Sequence, residues 1–292
     1  MLLFVMQPEF DQLRSGALTI GYVPTNDLSQ KSTLEHSEGY SYSPWYTFST
    51  SDWNYNFTDP TNAAILKQLY FRQAVQSLVN QPQYIKDFQA GLGIPTNGPV
   101  PTYPRNNPDV SPLEAGSLVY PYDPAKAVSL LKAHGWTVVP KGASFCSDPG
   151  TGSGQCGAGI KSGQKATFTA LYASGNAELS SEMEAFQSSE EQHAGIDFTI
   201  LQQSGTDMAG EVTGCTFATP CSDWDLENFG GSGWVYSPDY FPTGEELFET
   251  GAASNLGDYS DPTANALIDA TTTAPTHAAE ITALYKYQDY IA

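Results

Sequence analysis

Three acidic residues, Asp223, Asp225 and Glu227, alternate along one short stretch of this chain. In a strand they share one face, where paired carboxylates could serve glycoside hydrolysis or hold a cation. As the start of a calcium loop the pattern fails. Asn228 stands where glycine is needed and Trp234 where the bidentate glutamate belongs. A solvated strand face is the plainer expectation. The histidines, His36, His134, His193 and His277, are scattered, with none at ligand spacing. No Gly-x-Ser-x-Gly elbow, phosphate loop or dinucleotide fingerprint is present. The Gly/Ser runs at 150–154 and 230–233 lack a following helix start.

The cysteines point to a different chemistry. Cys146 and Cys156 bracket a Gly/Ser-rich interval, and Cys215 and Cys221 bracket another short, turn-forming one. Local pairing costs least in loop closure, so Cys146–Cys156 and Cys215–Cys221 disulfides in an oxidising compartment are expected. The spacings are not the close pairs of structural zinc sites.

Composition narrows the function classes further. The chain has 292 residues, with 32 Asp plus Glu against 12 Lys plus Arg, for a net charge of −20. So acidic a surface repels phosphate backbones and anionic lipid, which argues against a nucleic-acid or membrane-surface partner. No run approaches the roughly 20 apolar residues that span a bilayer. The apolar start, Met1 to Met6, lacks the basic region and cleavage site of a complete signal peptide.

Candidate elements follow from periodicity and punctuation. A short helix ends near Gly16, and Leu18–Val23 reads as a strand, as does Trp53–Phe57. Within the latter, Asn56-Phe57-Thr58 is formally a glycosylation sequon. From Asp59-Pro60 a long helix is expected, its apolar face made of Ile65, Leu66, Leu69, Tyr70, Ala74, Val75, Leu78 and Val79. Arg72 within it could serve ligand binding, but a structural arginine in a packed helix is the favoured reading. Residues 91–121, rich in proline and glycine, form a stiff surface loop. Asp123, Pro124 and Gly135 punctuate a helix as cap, first residue and left-handed stop. After a short strand at Thr137–Val139, a strand at 165–172, a helix from Ala177 to His193 stopped by Gly195, and a strand at Ile196–Leu201 make a β-α-β unit. Such a unit implies parallel strands with a right-handed crossover. Another strand covers Asp223–Phe229, and helices open at Asp261-Pro262 and run over 278–291.

Several segments, taken in order, resemble one family. They are Leu13-Arg14-Ser15-Gly16 with the strand after it, the aromatic stretch 53–57, Leu69-Tyr70-Phe71-Arg72-Gln73-Ala74-Val75, the loop from Gly91 to Pro101, and Tyr120 through Gly135-Trp136. Together they are similar to the extracellular solute-binding proteins of family 5, the peptide- and nickel-binding receptors of ABC importers. The resemblance runs from about Phe10 to the last residue.

It implies an α/β fold of the type II periplasmic-binding-protein kind, with a mixed sheet and flanking helices. Residues 1–52 would be a remnant of the first lobe with the hinge crossover, and 53–292 the second lobe, with an export signal upstream and a return strand downstream. The implied protein is not an enzyme and uses no cofactor or metal. It captures an oligopeptide or similar solute by hinge closure between two lobes and works, as a monomer, with an ABC permease. Its place would be secreted, at the cell surface with a lipid anchor, or periplasmic. In the family a carboxylate after a Gly-Trp accepts the ligand's ammonium. Here Gly233-Trp234 is followed by Tyr236 and by an Asp239-Tyr240 pair two places later than the family spacing, where Ser237-Pro238 intervene. Trp234, Tyr236 and Asp239 are therefore the candidate ligand-binding residues. The alternative for Asp239 is a turn aspartate beside Pro238, and for Trp234 a core position. The alternative function is a secreted carbohydrate-active hydrolase using Asp223 and Asp225.

Overall fold

The computed structural model of the chain describes residues 6–43, 46, 50–103, 107–229 and 243–292. In chain order the elements are α1 (Met6–Arg14), α2 (Lys31–Ser37), β1 (Asn54–Tyr55), α3 (Ala63–Leu66), α4 (Leu69–Gln76), α5 (Gln81–Phe88), α6 (Pro124–Ala133), β2 (Trp136–Thr137) and β3 (Phe145–Cys146). They continue with β4 (Thr167–Ala173), α7 (Ala177–Ala194), β5 (Asp197–Gln203), α8 (Gly205–Val212), β6 (Leu226–Asn228), α9 (Pro262–Thr272) and α10 (His277–Ile291).

The punctuation residues act as their chemistry dictates. Asp123 Oδ1 accepts the Lys126 N–H at 2.9 Å, and Asp261 Oδ1 accepts from Thr263 and Ala264 at 2.6 and 3.1 Å. Each satisfies donors that a helix start leaves orphaned. Gly195 ends α7 at φ +60, where a Cβ would lie 2.1 Å from the Val139 carbonyl oxygen. Conformation and space both demand glycine there.

The main sheet has the order β1-β6-β4-β5. β4 pairs in parallel with β5 and with β6, and β1 closes the edge antiparallel to β6, Asn54 facing Glu227. The sheet is mixed, as expected. Its central strand β4 is almost wholly buried, whereas edge strand β5 alternates exposure. Beneath it Phe168, Phe186 and Phe198 pack ring against ring at 4.8–5.3 Å. Both expected disulfides are formed, with Cys146 and Cys156 fully buried.

Three expectations need correction. Leu18–Val23 is not a strand: it pairs with no strand among the described residues. Its Leu18 carbonyl accepts from the Tyr40 hydroxyl and its Tyr22 N–H donates to the Glu9 carboxylate instead. The long helix after Asp59 is broken in two, because Gln68 is extended (φ −76, ψ 116) between α3 and α4. The break turns Leu69 outward, leaving it 59% exposed while the rest of the predicted face is buried. Finally, Asp225 and Glu227 are not on a solvated face. β6 lies between β1 and β4, and both side chains are buried; only Asp223 is exposed. The sequon residue Asn56 is buried too, donating to the carbonyls of Cys221 and Trp224. Helices α5 and α8 go beyond the sequence expectations; α5 is capped by Asn80, with Pro82 in its first turn.

Candidate functional site

A cleft of about 930 Å³ opens along the β1 edge of the sheet. One wall is the chain entering β1, from Ser51 to Tyr55; a second is the outer face of α4, with Leu69, Arg72 and Gln73. Tyr84 and Ile85 of α5, the loop around residues 92–103, and Tyr259 with the end of α10 complete it. Aromatic walls bearing a few charged and amide groups are what a small-solute site requires.

Several acids in and behind the wall are pushed towards the neutral form. Asp52 faces the cleft half-buried, without a partner among the described residues, and burial pushes its carboxyl up to about 6. Behind it, Glu227 Oε1 accepts the Asn54 side-chain N–H at 2.6 Å. Burial first, and the nearby Asp52 charge second, push Glu227 up to about 8. Asp225 is pushed up to about 6 by burial, against the Thr169 N–H it accepts at 2.7 Å. Glu182 takes a 2.7 Å hydrogen bond from Gln89, and burial raises its pKa. Glu190 lies under the wall, fully buried; both oxygens lack partners among the described residues, and burial holds its pKa well above the usual range. Desolvation favours the neutral acid in each case.

The sequence-predicted site residues Trp234, Tyr236 and Asp239 lie outside the described residues. The acids of the hydrolase alternative do not meet at the cleft, because none of Asp223, Asp225 and Glu227 lines it. No cluster of His, Cys, Asp and Glu suited to a metal ion occurs among the described residues. Nor is any described helix long and apolar enough to cross a membrane. Sequence reasoning did not point to Asp52 or Tyr259, and for Arg72 it favoured a structural role over a ligand-binding one. A lone acid in a Ser/Thr stretch carries no motif; the cleft assembles these residues from segments about 200 positions apart.

The family described as bacterial extracellular solute-binding proteins, family 5 (Middle), matches residues 8–245. The chain belongs to that family. Among solved structures, lactococcal OppA complexed with an endogenous peptide superposes with a TM-score of 0.75 at 18% identity, covering 98% of this chain and 50% of its own. The oligopeptide-binding protein AppA from Bacillus subtilis, in complex with a nonapeptide, gives 0.72 at 17% identity, with 98% and 50% covered. A nickel ABC transporter protein from Bacillus halodurans gives 0.65 at 21%, with 98% and 52% covered. This family member therefore spans about half the length of the structures it matches, and at these identities the likeness establishes the fold. No curated protein matches the sequence.

Proposed function

We propose that this protein is the solute-capturing component of an ABC importer, holding an oligopeptide or a similar small solute in the cleft beside β1. The observation that carries this reading is a preformed cleft of about 930 Å³ in a chain of the family 5 solute-binding fold. Capture would proceed by closure of two lobes about a hinge, with residues 1–52 belonging to the first and 53–292 to the second. Ligand contacts on both lobes would favour the closed state, which the membrane permease reads. The protein acts as a monomer outside the cytoplasm, tethered by a lipid anchor or free, and performs no chemistry on its cargo. Trp234 and Tyr236 would stack on the solute, and Asp239 would accept a free ammonium.

Calorimetric titration with short peptides, and separately with nickel chelates and sugars, tests this. Saturable heat with one class supports capture and names the class. Silence with all of them, from protein shown to be folded, overturns it. With a free-amine peptide as ligand, Asp239→Ala should weaken binding more than it weakens binding of the acetylated peptide. Equal losses remove the Asp239 assignment.

A further inference from the structure

We propose that Arg72 is an anion subsite of the cleft and takes a carboxylate of the bound solute; the proposal rests on the solute-binding reading above. Arg72 stands in α4 and lines the cleft with Tyr55, Phe57 and Tyr259. Its Nη1 donates to the Leu66 carbonyl at 2.7 Å, which satisfies the end of α3, and its guanidinium carbon lies 5.5 Å from the centre of the Phe57 ring. A guanidinium carries five N–H donors, and among the described residues only the Leu66 carbonyl takes one, so most of this fork is uncommitted there. No carboxylate lies within ion-pair distance of it among the described residues, although acids outnumber bases 32 to 12 in the chain.

The other ionisable groups acting on Arg72 are the Tyr55 and Tyr259 hydroxyls, both kept neutral by burial. An enclosed cation without a counter-ion is costly, and removing one partner of such a pair is what leaves it so. A planar carboxylate supplies two parallel acceptors to the free fork, a match that lysine cannot make. A structural arginine explains the Leu66 bond; it does not explain why a cleft-lining guanidinium has no acid beside it among the described residues. The carboxylate would come from a peptide C-terminus or from an acidic side chain.

The test follows the side-chain Nε–Hε resonance of Arg72 in the full chain, assigned by its loss in Arg72→Lys. The probes are acetate, N-acetyl-trialanine, N-acetyl-Ala-Asp-Ala-amide and N-acetyl-trialanine amide, with calorimetry in parallel. Acid probes should shift the resonance saturably and bind about tenfold or more tighter than the amide. That difference should vanish in Arg72→Lys and Arg72→Gln, each checked for an unchanged melting curve. Which of the two acidic peptides binds tells a C-terminal from a side-chain carboxylate. Equal binding of acid and amide, or a resonance that no acid moves, overturns the subsite. Heat from a solute that leaves Arg72 unmoved overturns the subsite and spares the capture proposal. An Arg72 shift with acetate, but silence from every larger solute, does the reverse.

Discussion

The segment 6–43 and the body from β1 onward are held by different amounts and kinds of burial. In the segment, Phe10, Leu13 and Leu34 form a small cluster of their own, edged by Leu18, Val23 and Tyr40. The Tyr40 hydroxyl reaches the Leu13 and Leu18 carbonyls, and Ile20 stands 85% exposed. In the body one continuous cluster runs from Phe57 to Leu226, through both faces of the sheet, with two disulfides and several buried carboxyls. A large shared core couples its elements, so they open together; a small one opens by itself. The part of the body from Phe57 to Leu226 should therefore behave as one cooperative unit, and the segment as a local one.

The sharpest way to break this comparison is through the two cores. Phe198→Ala should lower global stability by about 3–5 kcal/mol in denaturant unfolding, since its ring is buried between Phe168 and Phe186. Leu34→Ala should instead raise amide exchange across residues 8–43 while the main transition stays in place. A main transition moved equally by both changes would unite the two regions.

Next in size are the bridges. Replacing Cys146 and Cys156 by serine should cost about 2–3 kcal/mol, because the bridge closes a loop of 10 residues in the unfolded chain. Calorimetric melting checks it, and a loss below about 1 kcal/mol would mean that the loop is held by its other contacts.

The buried carboxyls give the body a pH signature. Glu227 and Glu114 are pushed up to about 8, and Asp52 and Asp225 to about 6, from ordinary values of 4.5 and 3.8. A raised acid favours the folded state in its protonated form. Its stabilisation is complete below the unfolded pKa and is lost as pH rises towards the folded one. Stability should thus fall between about pH 4.5 and 8 through the two glutamates, and between about pH 3.8 and 6 through the two aspartates. Each group contributes up to about 1.4 kcal/mol per pH unit within its own window. Urea unfolding at pH 5 and pH 8 measures this, and Glu227→Gln should flatten the profile. A protein more stable at pH 8 than at pH 5 would contradict these burials.

The smallest effect belongs to the exposed stretch. Ile20→Ser should change stability by less than about 0.5 kcal/mol. A larger loss in thermal melting would mean that Ile20 itself is packed, as its neighbours Leu18 and Val23 are.

Local signals were legible wherever they were self-contained. Asp123, Asp261 and Gly195 cap or stop helices through their own side-chain or backbone geometry, which no distant residue has to supply. The cysteine pairs were legible because the intervals are short. Asp225 and Glu227 were misread as solvated because alternation says that residues share a face, not whether anything covers it. Leu69 was misread because one extended residue, Gln68, re-phases everything after it. Of the candidate site, Arg72 was visible as a residue and invisible as a lone cation, since its missing counter-ion is a statement about every acid that does not approach it.

By itself, then, the sequence determined the capped or glycine-stopped ends of α6, α7 and α9, the parallel β-α-β unit, both disulfides and the family to which the chain belongs. The first three follow from period, punctuation and spacing along the chain; the family follows from the resemblance of particular segments. The tertiary structure decided which strand candidates found partners, which acids lost water, and where the cleft formed. Pairing, desolvation and concavity arise between segments far apart in sequence: the Asp52 charge acts on Glu227 across 175 positions only because β1 lies against β6.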